Sequence, residues 1–298
     1  MIRAATPPMD MPPQFLAEPL AYEFYQRAAI CSLVIGACGG LLSACVVASR
    51  TALAVNALSQ SLLPGIALAV LLAGLSPVTA LAGGLVAAGG IALGSHWLSC
   101  ATRLPRESAL AALYVCAFAG GILLLSKAPP QVRLEDYLLG NIIGIGNPDL
   151  FAVVAVASLC ALVLVAMQQP IAIALLDRDS AVTLGIRPQM IEGALLTLIV
   201  LFLIAAVKAV GVLLAVGLLV LPSVAMLPLA RSPRQLAASA ALCGGALAPT
   251  ALIAAYWLDL PPGPAIVFLL GLLALALQLA AVLRRRLARA GNHGHSPP

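Results

Sequence analysis

Charged side chains are scarce in this sequence: Asp, Glu, Lys and Arg make up 9% of its 298 residues. A soluble domain carries about 25% charged residues. Hydrophobic residues instead reach 62%, which is more than the core of a soluble domain requires. The shortage of charge therefore excludes an ordinary soluble protein and indicates a chain solvated mainly by lipid.

Aromatic residues are also few, at 4%, although the formal net charge is +5. A nucleic-acid-binding surface needs clustered basic residues with interleaved aromatics, and this sequence has no such cluster. Its basic residues lie in short loops between apolar runs, where they set the orientation of a membrane protein. Nucleic-acid binding is therefore excluded as the function.

The seven cysteines include no C-x-x-C pair, so the sequence predicts neither a disulfide framework nor a zinc knuckle. Cys31, Cys38 and Cys45 recur every seven residues and share one helix face. We interpret them as small packing residues against a neighbouring helix.

Most of the sequence consists of long apolar runs. A helix needs about 20 apolar residues to cross a bilayer, and nine runs approach or reach that length. They are 28–49, 58–75, 78–99, 107–126, 149–167, 190–207, 209–230, 235–257 and 264–283. The second run is short, and the sixth and seventh are divided only around Lys208. We therefore predict an all-α, polytopic bundle of eight or nine transmembrane helices.

These runs divide the chain into an N-terminal segment, 1–27, a transmembrane domain, 28–283, and a basic tail, 284–298. With nine spans, most of the sixteen Lys and Arg residues fall on the side of the C-terminus. The positive-inside rule makes that side cytoplasmic and places residues 1–27 outside. We interpret His293 and His295 as part of a solvated tail.

Glycines recur four residues apart inside two of the runs. Gly36 and Gly40 form one pair, and Gly90 and Gly94 form the other. Small residues at that spacing let two helix backbones approach closely. Both pairs therefore predict tight helix packing.

A polar stretch, 56–65, enters the second run. Asn56 and Gln60 lie four residues apart and project from one helical face. Pro64 removes a helical donor, and Gly65 loosens the next turn. A polar, locally broken helix is typical of a substrate pathway, and a polar helix-entry cap is equally consistent with these residues.

Two further stretches are candidates for function. Ala181 and Gly185 lie one turn apart after Asp177 and predict a short helix whose small face fits a groove on a partner, with a solvated loop as the alternative. Pro222, deep in an apolar run, predicts a kink, which can line a pathway or serve packing alone.

The chain contains no G-x-x-x-x-G-K-[ST] motif, so we expect any ATP to be bound by another polypeptide.

In this order, these stretches resemble the permease family of ABC importers for zinc, manganese and iron. The resemblance covers roughly residues 22–283. It rests on Phe24, Arg27, Arg50, the stretch 59–65, Arg106-Glu107, Tyr137 to Gly140, Asp177 to Gly185, Val210-Gly211, Leu221-Pro222 and Asp259 to Pro264.

The resemblance implies a homodimer in the bacterial cytoplasmic membrane with a central pathway. It also implies a cytoplasmic ATPase and an extracytoplasmic metal-binding protein as partners. The chain itself would need no cofactor, and the metal would be its cargo. The short helix near Asp177, Ala181 and Gly185 would dock on the ATPase and transmit its closure.

The family usually has Asp and His where this chain has Asn56 and Gln60. Carboxylate and imidazole suit manganese and zinc, whereas two amides bring oxygens without charge. The cargo could therefore be a metal complex, the pathway site could be deliberately weak, or the subunit could be degenerate. An ion-coupled secondary metal transporter and a non-transporting scaffold are the alternative functions.

Overall fold

The computed structural model describes residues 22–49, 51–73, 77–125, 142–176 and 178–292. This part of the chain is built almost entirely from helices. In chain order they are α1 (Glu23–Ala48), α2 (Ala52–Ala73), α3 (Pro77–Ala101), α4 (Arg106–Leu125), a 3-10 turn (Ile142–Gly144), α5 (Asn147–Ala166), α6 (Gln168–Leu176), α7 (Arg178–Thr183), α8 (Pro188–Val210), α9 (Val212–Met226), α10 (Pro233–Trp257) and α11 (Pro262–Asn292).

Seven helices of the described part are long and apolar enough to cross a membrane: α1, α3, α4, α5, α8, α10 and α11. Two more of the predicted apolar runs fall on α2 and on α9, which has only 15 residues. The all-α membrane bundle is confirmed, and the predicted number of eight or nine spans is approximate.

Helix α1 lies at the centre of the bundle and packs against α10, α9 and α5. Its glycines bring the backbones together, because a Cβ atom at Gly36 would overlap the carbonyl of Gly244. One at Gly40 would overlap the carbonyl of Ala240. The predicted close packing is confirmed for this pair.

The second glycine pair behaves differently. Gly94 faces Leu113 of α4, but a Cβ atom at Gly90 would meet nothing within 4 Å. The prediction of close packing is wrong for Gly90, because its side of α3 is exposed. Spacing alone does not say which face of a helix meets a neighbour.

Polar links fix α1 at both ends. The hydroxyl of Tyr25 donates to the carbonyl of Leu252 at 2.6 Å. Towards the other end, the Ser43 hydroxyl donates to the Ser223 hydroxyl at 2.5 Å and accepts from the Ser223 main-chain N–H at 3.0 Å. Such bonds satisfy polar groups that have no water partner in a bilayer core.

The cysteines pack as expected from their spacing. Cys31 and Cys38 are buried in the core around α1, and Cys45 is partly buried. All seven cysteines are free thiols. The packing interpretation of this cysteine face therefore agrees with its position in the bundle.

Helices α8 and α9 are divided at Gly211, just beyond Lys208. Gly211 caps both helices with φ +84° and ψ 165°, a backbone region that is essentially restricted to glycine. The break is therefore specified by this glycine, and the two apolar runs fold as separate helices.

Candidate functional site

Asn56 and Gln60 lie one turn apart on α2 and are both partly buried. The Gln60 side-chain amide donates to the Asn56 side-chain oxygen at 3.5 Å. The buried Ser59 hydroxyl donates to the Asn56 main-chain oxygen at 2.8 Å, and the Ser61 hydroxyl donates to Leu58 in the same way at 2.6 Å. The serines are thus satisfied within their own helix, and the two amides form the polar patch of α2.

Helix α2 continues without a break through Pro64 and Gly65, so the predicted local break is wrong. Both residues serve close helix packing instead. A Cβ atom at Gly121 of α4 would come within 2.7 Å of Pro64, and one at Gly65 would overlap the carbonyl of Gly83 on α3. The polar patch is therefore carried by a helix held between α3 and α4.

The two amides can offer neutral oxygens to a cation, but they form no preassembled high-affinity site. Within the described residues, no group of three or more His, Cys, Asp or Glu side chains could hold a metal ion. Amide oxygens are hard, uncharged ligands. The arrangement suits brief contact with a passing ion or a metal complex better than tight binding.

The second candidate site is the short helix α7 and the turn that ends it. Gly185 has φ +76°. The Ile186 N–H donates to Ala181 at 2.9 Å, and the Gly185 N–H donates to Val182 at 3.0 Å. This pair of bonds is a Schellman motif, in which the left-handed position favours glycine. Gly185 thus sets the shape of the turn.

Ala181 and Gly185 do not present one shared small face. Ala181 is 0% exposed and faces the rest of the chain, whereas Gly185 is exposed with open space around it. Val182 and Leu184 are 62% and 64% exposed. We name Val182, Leu184 and Gly185 the α7 surface. Its two apolar members, Val182 and Leu184, were not predicted from the sequence, and Asp177 lies outside the described residues.

Pro222 is buried on α9, which packs against both α1 and α2. A Cβ atom at Gly244 of α10 would come within 3.4 Å of its ring. The neighbouring Ser223 makes the two hydrogen bonds to Ser43. Pro222 therefore lies where α1, α9 and α10 meet, on a helix that also contacts α2.

The structure places these candidate residues in separate groups. Asn56, Gln60, Pro64 and Gly65 share α2, Ala181 and Gly185 belong to the α7 turn, and Pro222 lies on α9. His293 and His295 lie outside the described residues.

The chain is similar in sequence to membrane proteins of known transport systems. The chain is 27% identical over 261 residues to the chelated iron transport system membrane protein YfeD of Yersinia pestis, covering 88% of this chain and 86% of that protein. It is 29% identical over 208 residues to the manganese transport system membrane protein MntB of Synechocystis, covering 70% of this chain and 67% of that one.

The fold is that of a solved structure, PsaBC from Streptococcus pneumoniae in complex with Fab, with a TM-score of 0.80 and 23% identity. The match covers 90% of this chain and 94% of the other. The model of the ABC 3 transport family matches residues 21–281. This multi-pass membrane protein therefore belongs to the ABC 3 transport family.

Proposed function

We propose that this chain is the permease subunit of an ATP-binding cassette importer for a divalent metal ion, zinc, manganese or iron, or for a metal chelate. The observation that carries this proposal is the family match over residues 21–281. Relatives named for manganese and chelated-iron transport support a metal cargo. The membrane is the bacterial cytoplasmic membrane.

Two copies of the chain form the pathway in this proposal. A cytoplasmic ATPase subunit binds and hydrolyses ATP, since the sequence contains no phosphate-binding G-x-x-x-x-G-K-[ST] motif. An extracytoplasmic metal-binding protein delivers the cargo. The permease itself carries no cofactor, and the metal is its substrate.

The polar patch of α2 supplies the contact with cargo. Asn56 and Gln60 are partly buried and hydrogen-bonded to each other, so rotation of the Gln60 amide presents a second oxygen to a passing ion. Neutral ligands hold a cation weakly, which permits rapid release. Pro64 and Gly65 fix α2, the helix that carries the two amides, against its neighbours. Pro222 positions α9, which lies beside α2.

The α7 surface is the docking site for the ATPase. It lies in a loop on the side that the positive-inside rule makes cytoplasmic. Exposed Val182 and Leu184 are costly in water and gain free energy when a partner covers them. Ala181 anchors the short helix to the permease, so that motion of a docked ATPase reaches the bundle.

The docking role is tested with the double variant Val182→Asp and Leu184→Asp in the assembled importer. We expect loss of ATPase co-purification and of metal uptake, while the permease still enters the membrane. The matched control is Leu104→Asp, another exposed apolar residue in a loop assigned to the same side. Equal ATPase binding by the double variant and the wild type would refute the docking role.

The cargo and the energy source are tested separately. Elemental analysis of a deletion strain grown under limitation for one metal at a time should show a deficit of the transported metal alone. Purified permease in vesicles should move no metal without its ATPase. Uptake driven by an ion gradient alone would establish the ion-coupled carrier instead.

A further inference from the structure

A cavity of about 660 Å³ opens between the last turns of α1 and α5, helix α6 and the first turns of α10. Its wall is largely aliphatic, with Leu41, Leu164, Ile171 and Leu175 among its members. Its volume lies within the range of roughly 300–1,000 Å³ that is usual for small-molecule sites. The cavity is therefore large enough for an organic ligand with an apolar body.

The cavity lies at the level where spans end. Helix α1 ends at Ala48, α5 ends at Ala166, and α10 begins at Pro233. The cavity thus has an apolar interior within the bundle and a polar mouth at its end, which includes Arg231, Ser232 and Arg234. An amphipathic molecule that lies across the membrane boundary matches this division.

The mouth is positively charged. Arg231 and Arg234 are exposed, and no acidic side chain is among the described residues that line the cavity. Within the described residues, neither arginine forms an ion pair. Helix α10 begins here with Ser232 as its N-cap, accepting from Gln235 at 3.2 Å, so the positive end of its dipole adds to the field.

We propose that this cavity binds an anionic phospholipid of the cytoplasmic leaflet. One acyl chain fills the aliphatic interior, and Arg231 and Arg234 hold the phosphate. Arginine suits phosphate because its planar fork can donate two parallel hydrogen bonds, and basic pockets between transmembrane helices on the cytoplasmic side bind acidic lipid headgroups.

The site is separate from the polar patch of α2. Among the described residues that line the cavity, none belongs to α2. Helix α6, which lines it through Ile171, Ala172 and Leu175, leads along the chain into α7. A lipid in this position packs α6 against α1 and α10 and so steadies the base of the α7 surface.

The test uses full-length permease that is purified in detergent, stripped of lipid and given equal amounts of phosphatidylglycerol and phosphatidylcholine with matched chains. Native mass spectrometry counts the lipids retained per chain. We expect the wild type to prefer phosphatidylglycerol by about tenfold, since two basic side chains attract its charge. Absence of a preference in the wild type overturns the proposal without recourse to any variant.

Variants then locate the site. Arg231→Gln with Arg234→Gln should abolish the preference, and Ala172→Phe, which fills the cavity, should lower retention of both lipids. The matched control, Arg284→Gln with Arg286→Gln, removes equal charge from exposed positions of α11 and should leave the preference intact. The proposal is overturned if the control loses the preference for phosphatidylglycerol to the same extent. It is also overturned if the Arg231 and Arg234 variant retains lipid as the wild type does but binds the ATPase more weakly.

Discussion

The side-chain amide of Gln278 on α11 donates a hydrogen bond of 2.8 Å to the main-chain carbonyl of Val224 on α9. Inside a helix that carbonyl would accept from the N–H of residue 228. Residue 228 is a proline and has no N–H to donate. Gln278 thus satisfies an acceptor near the end of α9 that its own helix leaves open.

Replacing Gln278 with Met keeps the length of the side chain and removes the donor. We expect the free energy of unfolding to fall by about 1 kcal/mol, because an interhelical bond is lost and a carbonyl is left without a partner. Unfolding in detergent measures the change. The exposed Gln169→Met is the control and should shift stability little; equal stability of both variants would contradict this role.

The contact of α1 with α10 predicts a second effect. Gly36→Ala places a Cβ atom against the Gly244 carbonyl, and main-chain atoms move out of the way only at a cost. We expect a loss of about 1–3 kcal/mol, measured as a lower unfolding temperature.

The control for this substitution is Gly90→Ala, which meets open space. Alanine in a helix interior is favoured over glycine by about 0.5–1 kcal/mol, so this variant should be neutral or slightly more stable. If both substitutions have the same sign, the close approach at Gly36 is not what stabilises the bundle.

The turn after α7 predicts a backbone effect. Gly185→Ala should weaken the Schellman motif by about 1 kcal/mol or more, because an L-residue is strained at this φ. Hydrogen exchange at the Ile186 amide, which donates to Ala181, should accelerate roughly tenfold. Gly185→Asn should accelerate it less, since asparagine tolerates the left-handed region.

Gly193→Ala is the control for this turn, because Gly193 also has open space around it and has no positive φ. It should leave the exchange of the Ile186 amide unchanged. Acceleration by this variant as well would show that the turn does not depend on the conformation of Gly185.

The polar patch of α2 predicts a gain of binding. Asn56→Asp with Gln60→His supplies a carboxylate and an imidazole one turn apart, which are stronger ligands for zinc and manganese than two amides. Calorimetry on the purified double variant should show tighter binding of the bare ion than wild type. Unchanged affinity would argue against a pathway at this patch.

The helical and membrane-spanning character could be predicted in advance because lipid leaves few alternatives: apolar runs must satisfy their own hydrogen bonds. The spacing of Gly36 and Gly40 also predicted a close helix contact, although the same spacing gave no such contact at Gly90. The prediction of a helix break at Pro64, made from its local sequence, was wrong. Pro64 and Gly65 were expected to break α2, but contacts with α3 and α4 keep it continuous.

The candidate sites were only partly predictable. The sequence predicts a short helix near Ala181 and Gly185 but places both residues on one small face, whereas the structure makes Gly185 the left-handed cap of that helix. The sequence does not show that Ala181 points inward while Val182 and Leu184 point outward. The side that a six-residue helix exposes depends on what it packs against, and periodicity carries little information over so few residues.

The sequence by itself determined a lipid-solvated helical bundle, two apolar runs that are divided around Lys208, and an order of motifs that resembles one transporter family. These properties depend on composition and on neighbours along the chain. The tertiary structure alone decided that Gly90 faces open space, that Gln278 satisfies Val224, and that an aliphatic cavity opens beside Arg231 and Arg234. Each of these depends on which helix lies opposite, and residues far apart in sequence meet only when the bundle packs.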